Sequence, residues 1–355
     1  MTYRIYGSEL SPYSVKVRSF FRYKKLDHEW IPRSPAVQAE FQKYAKLPLV
    51  PLVVTAAAKA GKINDKLRGD IMQRYKGWLY IVPLLVGPIL LGAFWVITGI
   101  GLLSLFCYRE YARATGLVRE KWVSFLVVVG IVLVFLSVLD HWYGLFTALG
   151  PLVVTLIVAL AVLQDRPPGY IQRTALAVFG FLLFGLCLAH LAYLGNDARY
   201  RVYLLFVFIV VELNDIFAFC CGKAFGRRKL CPNTSPNKTL GGSLGALVLT
   251  TLLVVFFGRV VFAGTVLENV PRLVGLGILM SAAGQFGDLT LSSIKRDIGI
   301  KDMAATIPGH GGLLDRFDSI LLAAPVFFHY VGFYVGFGLD QPEFVFTPLI
   351  SIPHF

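Results

Sequence analysis

Seven long apolar runs follow one another through this chain, and they constrain its fold more than any other feature. Trp122–Leu139, Tyr143–Leu163, Thr174–Leu194, Val202–Cys221 and Ser319–Leu339 are full length, while Ser243–Gly258 and Leu273–Gly287 are shorter and contain glycine. About 18–21 apolar residues in helical form cross the roughly 30 Å hydrocarbon core of a bilayer. Inside lipid the backbone must satisfy its own hydrogen bonds, so such runs read as helices. The composition agrees: 56% of residues are hydrophobic and only 15% charged, with a mean hydropathy of +0.66. A soluble globule rarely carries so little charge, so the chain is read as an integral membrane protein.

The first apolar block, Trp78–Cys107, is long for one span and short for two. Basic residues on both sides favour a tight hairpin, broken near Pro88 or Gly99–Gly101. The expected fold is therefore an all-α polytopic membrane protein of about nine transmembrane helices, with a single crossing here giving eight. The net charge of +13 sits in particular connections. Lys59, Lys62, Lys66, Arg68, Arg74 and Lys76 precede the first block. Arg109, Arg113, Arg119 and Lys121 fill one loop; Lys223, Arg227, Arg228, Lys229 and Lys238 fill another; Lys295, Arg296, Lys301 and Arg316 fill a third. The Asp140-His141 connection and the tail after Leu339 have no Lys or Arg. The positive-inside rule puts the three rich loops on the cytoplasmic face and the C-terminus outside. No nucleic-acid partner is expected. Five cysteines show no CxxC or Cys/His metal spacing, and no removable signal peptide is expected at the start.

Residues 1–55 depart from this pattern. Tyr3–Tyr6, His28–Ile31 and Val50–Val54 read as strands, and Ser11–Lys24 and Ala36–Lys46 as helices, a small α/β unit. The run YGSELSPYSVKVRSFFRYKKLDHEW, followed by LPLVPLVV, resembles the N-terminal thioredoxin-like domain of glutathione transferases. That resemblance implies Ser11, then Ser14, as the thiol-polarising residue, and Val50-Pro51 as the family's cis-proline turn. It stops at about residue 55, and AAAKAGKINDK follows as a linker. The expected organisation is a truncated thioredoxin-like fragment over 1–55, a basic linker over 56–77 and a transmembrane domain over 78–355. Lacking one wall of a glutathione site, the fragment reads as a docked remnant or fused accessory on the cytoplasmic side.

Residues 287–319 concentrate charge in this greasy chain. In GDLTLSSIKRD, Asp288, Ser292 and Lys295 fall at i, i+4 and i+7, one helix face, with Arg296 beside it. In IPGHGGLLDRFDS, a Pro-Gly turn precedes His310, and the amides of Gly311 and Gly312 suit an oxyanion. Asp315 and Asp318 stand three residues apart at the start of the last span, where the helix dipole also favours acids. Asp288, Asp315 and Asp318 form a three-carboxylate set of the kind that suits Mg²⁺, which usually arrives with substrate phosphates. Upstream, Glu212 and Asp215 interrupt an apolar span, a functional signal by default. The loop GKAFGRRKLCPNTSPNKTLGG brings Ser235, Lys238 and Thr239 next to Gly241-Gly242, a candidate phosphate-contacting turn. Solvated helix ends and topology-setting charge account for parts of this pattern, but not for all of it in one place.

The run from Ser292 to Asp318, S-x-I-K-R-x4-K-D-x-A-x2-I-P-x-H-G-G-L-x-D-R-F-D, resembles the C-terminal signature of the phosphatidate cytidylyltransferases, or CDP-diacylglycerol synthases. The likeness extends back through GDL at 287–289, SPNKT at 235–239, NDIFAF at 214–219 and REYARATGL at 109–117. It implies transfer from CTP to phosphatidate, giving CDP-diacylglycerol and pyrophosphate for phospholipid biosynthesis. It also implies one Mg²⁺ with a neighbouring K⁺, a homodimer, and a bacterial inner membrane with the site on its cytoplasmic face. Carried over residue by residue, Asp288, Asp315 and Asp318 are the expected metal ligands. Lys295, Arg296 and His310 join them as catalytic candidates. Asp215, Ser235, Lys238, Thr239, Ser292, Lys301, Gly311, Gly312 and Arg316 are the expected substrate contacts. One position departs: the family has an acid where Gly241 stands. Rival readings are a CTP-dependent lipid kinase of the polyprenol or phytol type, an inactive scaffold or transporter on the same fold, and a glutathione-dependent membrane enzyme.

Overall fold

The computed structural model describes residues 3–7, 21, 26–32, 52–55, 83, 85–304, 306 and 311–337. The chain divides into two compact units, Met1–Tyr75 and Lys76–Phe355. In the first, β1 (Tyr3–Gly7) is the central strand of three. It pairs in parallel with β2 (His28–Pro32) and antiparallel with β3 (Leu52–Thr55). Ile5 and Ile31 are buried. A parallel pair needs a crossover of a dozen or more residues between its strands, which the 8–27 interval supplies in length. The expected helices, apart from Phe21, lie outside the described residues, as do Ser11, Ser14, Pro51 and the linker.

The second unit is a helical bundle. Among the described residues, eight helices are long and apolar enough to cross a membrane. They are α1 (Ala93–Ala114), α2 (Lys121–Leu139), α3 (Tyr143–Leu163), α4 (Tyr170–Asn196), α5 (Tyr200–Phe225), α6 (Leu240–Val261), α7 (Val270–Asp297) and α8 (Leu314–Val335). Among the described residues the count is eight, and the first apolar block is interrupted at Gly92. Residues 85–91 are helical and stop at this glycine, whose φ of 133° suits no residue with a β-carbon. Beyond it α1 runs unbroken through Gly99 and Gly101, where the hairpin break was expected. Pro88 instead packs on Gly99, where an added β-carbon would lie 3.2 Å from the proline Cγ.

Crossing parity puts the α1–α2, α3–α4, α5–α6 and α7–α8 connections at one end of the bundle, and these include the three basic loops. In α2 no charged residue follows Lys121, as a span in lipid requires. Lipid gives helices no hydrophobic reason to associate, so α5 to α8 meet through close backbone packing. A β-carbon at Gly242, in α6, would fall 2.6 Å from the Ala218 carbonyl oxygen of α5. One at Gly287, in α7, would fall 2.5 Å from the Asp318 carbonyl oxygen of α8. That second contact brings Asp288, the next residue, alongside Asp318. Between α5 and α6 a short antiparallel hairpin forms from β4 (Lys229–Cys231) and β5 (Ser235–Thr239).

Candidate functional site

Two groups of acids, with different partners, occupy the basic end of the bundle. The first gathers on α5, α7 and α8. Lys238, from the end of β5, places its Nζ 2.7 Å from Asp288 Oδ2. Ser292, one helical turn on from Asp288, donates to its Oδ1 at 3.1 Å. Ser319 Oγ donates to Asp215 Oδ2 at 2.9 Å, and the Ser319 amide donates to Asp318 Oδ1 at 2.8 Å. Asp318 interacts electrostatically with Asp288 and Asp215, and with Lys295. Three carboxylates from three helices therefore face one region, with the Lys238 ammonium the cation directly on one of them.

The second group is locked. Asp315 Oδ1 accepts from Lys295 Nζ at 2.9 Å, and both side chains are nearly buried. Asp315 Oδ2 accepts from the amides of Met303 and Gly312, each at 3.0 Å. Asp315 thus ties α7 through one oxygen and the α7–α8 loop through the other. Glu110, on α1, does the same from the other side. Its Oε1 accepts from Thr306 Oγ1 at 2.5 Å and from the Leu313 amide at 3.0 Å, and its Oε2 from the Leu314 amide at 2.9 Å. The first amides of any helix have no intrahelical acceptor, and a carboxylate there also complements the dipole. Glu110 is the N-terminal cap of α8, reached from more than two hundred residues away in sequence.

The remaining expected residues divide between these roles. Arg296 Nε donates to the Thr234 carbonyl at 3.2 Å, and its Nη1 to the Ile300 carbonyl at 3.2 Å, so it ties the β4–β5 hairpin to the end of α7. Thr239 Oγ1 accepts from the Gly242 amide at 3.1 Å and caps α6, a local role for a residue expected at phosphate. Gly311 adopts φ 84°, and the Gly312 amide, expected on an oxyanion, is directed to Asp315. Lys301 and Arg316 are exposed and Ser235 is half-buried at the same end. His310 lies outside the described residues.

Behind the carboxylates lies a polar network absent from the sequence reading. Asn214 Oδ1 accepts from Thr250 Oγ1 at 3.0 Å and from Ser281 Oγ at 2.6 Å. Gln285 Nε2 donates to Ser281 Oγ at 3.1 Å, and Ser243 Oγ donates to Gln285 Oε1. It joins α5, α6 and α7 one residue before Asp215 and three before Asp288. The signal for it was present as small polar residues scattered in apolar spans; their convergence was not.

Among the described residues no three His, Cys, Asp or Glu side chains form a ready-made metal cage. The donor chemistry around Asp288 and Asp318 still fits Mg²⁺. Both present hard oxygens, neither is tied up by two backbone amides as Asp315 is, and a cation, Lys238, already rests on Asp288. Mg²⁺ commonly needs only one or two carboxylates, filling its octahedron with water and substrate phosphates.

The cytidylyltransferase family profile matches residues 72–334. The phosphatidate cytidylyltransferase of Staphylococcus aureus (strain COL) is 38% identical over 156 residues, 42% of this chain and 59% of that protein. The phosphatidate cytidylyltransferase of Staphylococcus haemolyticus is 36% identical over 156 residues, with the same coverage. Uncharacterized protein YnbB of Escherichia coli (strain K12) is 32% identical over 277 residues, 76% of this chain and 90% of that protein. The family match takes in all eight spans and every carboxylate described above, and the chain belongs to the cytidylyltransferase family of nucleotidyltransferase enzymes.

Proposed function

We propose that this chain transfers the cytidylyl group of CTP to phosphatidate, releasing pyrophosphate and leaving CDP-diacylglycerol in the membrane. The observation that carries this reading is the cluster of Asp215, Asp288 and Asp318 with Ser292, Ser319 and Lys238 at the basic end of the bundle. A phosphate oxygen of the lipid attacks the α-phosphorus of CTP in line, and pyrophosphate departs. Both reactants are anions, so the work of the site is to hold them together against repulsion and in register. Lys238, Lys301 and Arg316 bring positive charge to that end for the triphosphate. Ser292 and Ser319 orient the carboxylates of Asp288 and Asp215. Asp288 and Asp318 would hold Mg²⁺, and when bound it would neutralise phosphate charge and polarise the reacting phosphoryl group. Asp315, Glu110 and Lys295 serve as positioning residues, fixing the first turn of α8 so that Asp318 faces Asp288. The placement of a K⁺ beside Mg²⁺, a contact from His310 to pyrophosphate, a homodimer and a cytoplasmic orientation in a bacterial inner membrane belong to the same reading. The S. aureus relative, 59% of whose length is spanned here, supports phosphatidate as acceptor by its name.

The test is conversion of labelled CTP in detergent with phosphatidate and Mg²⁺. Lipid-extractable cytidine that requires phosphatidate and is lost in Asp288→Asn is the expected result. Appearance of CDP and a phosphorylated lipid instead would replace this reading with that of a CTP-dependent kinase. Recovery of the label as unchanged CTP would reject both.

A further inference from the structure

A second lipid-facing feature lies at the same end of the bundle, on helices that supply none of the catalytic carboxylates. Where α2 begins and α3 ends, a groove of 540 Å³ is lined by Arg119, Lys121, Trp122, Leu160, Leu163 and Arg166, with Glu120 and Gln164 completing it. It adjoins a second groove of 720 Å³ that shares Arg166 and runs to Tyr170 and Ile171 at the start of α4.

The two halves of the groove differ in chemistry. Arg119, Lys121 and Arg166 are exposed, and among the described residues none of them is in an ion pair. Of the two acids here, Asp165 borders the adjoining groove, and Glu120 is turned toward Arg173, with Arg173 Nε 4.0 Å from Glu120 Oε2. Arg173 also donates to the carbonyls of Pro168 at 2.8 Å and Arg166 at 2.5 Å, which fixes the α3–α4 connection and the position of Arg166. Below the cations the lining is apolar and open. Trp122 is 70% exposed and Leu163 80% exposed, as side chains in contact with acyl chains are. Trp122 is the second residue of α2 and Leu163 the last of α3, which puts both at the level of the lipid headgroups, where tryptophan concentrates. Gln164 Oε1 is buried with no hydrogen-bond donor among the described residues.

We propose that this groove binds an anionic glycerophospholipid as an accessory ligand, separate from the substrate. The phosphate meets Arg119, Lys121 and Arg166, and an acyl chain lies along Trp122, Leu160 and Leu163. Charge complementarity selects the occupant: three cations that outnumber the acids beside them, and that are in no ion pair among the described residues, above an apolar floor suit an anionic headgroup with a hydrocarbon tail, and basic pockets between spans recognise lipids of this kind. The site holds a membrane lipid against α2, α3 and α4 while the carboxylates of α5, α7 and α8 remain free for the reaction.

The experiment uses the full chain reconstituted in phosphatidylcholine nanodiscs with or without phosphatidylglycerol, followed by release into the gas phase and counting of retained lipids by native mass spectrometry. Wild type is expected to retain phosphatidylglycerol over phosphatidylcholine. Each of Arg119→Gln, Lys121→Gln and Arg166→Gln should lower that preference about fivefold, corresponding to ~1 kcal/mol per basic residue near a membrane surface. Arg227→Gln, in the α5–α6 connection, should leave it unchanged. The single variants keep the test readable if the triple variant fails to reconstitute. Retention that is unaltered in the groove variants, or that falls equally in Arg227→Gln, would overturn the proposal, the second outcome assigning the preference to the general field of the basic face.

Discussion

Replacing Glu110 by alanine tests whether the first turn of α8 is held from α1. The carboxylate accepts three hydrogen bonds, two of them from the backbone amides of Leu313 and Leu314. Leu314 is fully buried and Leu313 nearly so, and water has little access to take over from the lost acceptor. Each buried amide left without a partner costs about 1–3 kcal/mol, so the two together cost about 2–6 kcal/mol before the Thr306 contact is counted. For a chain of this size, at about 2.1 cal/mol/K of unfolding entropy per residue, that corresponds to a fall in Tm of roughly 3–8 °C. Glu110→Gln should lose less, because one oxygen remains, but its amide group then faces a backbone N–H with no acceptor to offer. The same turn carries Asp315 and, one turn later, Asp318, so transfer activity should fall with stability. Thermal unfolding in detergent, followed by tryptophan fluorescence, and CTP turnover on the same preparations measure both. Wild-type Tm and turnover in Glu110→Ala would refute the assignment of Glu110 as the α8 cap.

Asp288→Asn and Asp318→Asn should each lower turnover by about 100-fold or more with little change in Tm, as expected for groups acting on phosphate charge through a metal. Asp315→Asn should instead lower Tm first, because its Lys295 partner would be left buried and unpaired; a normal Tm with abolished Mg²⁺ dependence would move Asp315 back among the metal ligands. Gly241→Glu, which installs the acid that the resemblance implies at this position, should destabilise rather than activate, since a β-carbon there would lie 2.8 Å from the Phe225 carbonyl oxygen. Higher turnover from that variant would show that α5 and α6 separate easily. Gln285→Leu should cost about 1 kcal/mol, the usual scale of an interhelical hydrogen bond in a membrane, and should raise KM more than it lowers stability if the network positions Asp288. A fall in Tm with KM unchanged would leave it a purely structural contact.

The departure at Gly241 shows how sequence and structure divide the account. From the motif alone, a glycine in place of an acid reads as a lost functional group. In the folded chain the same glycine lies where the end of α5 meets the start of α6. The opposite happened at Glu110. Within REYARATGL it is one acid among arginines, and nothing in its spacing distinguishes a solvated loop residue from a buried cap.

The apolar runs determined the spans, because only helices of that length and composition satisfy their backbones in hydrocarbon. The basic loops determined which connections share a face, and the signature from Ser292 to Asp318 determined where the chemistry is concentrated. Helical periodicity reports which residues share a face of one helix, and so it placed Asp288, Ser292 and Lys295 in a column. It carries no information about what the neighbouring helix presents to that face. Only the packing of α5, α7 and α8, closed at Gly287, decided that Lys238 meets Asp288 and that Lys295 meets Asp315. The reason is physical: an acid in a low-dielectric bundle takes the nearest donor in space, and that donor is set by helix approach distances that depend on residues far away in the chain.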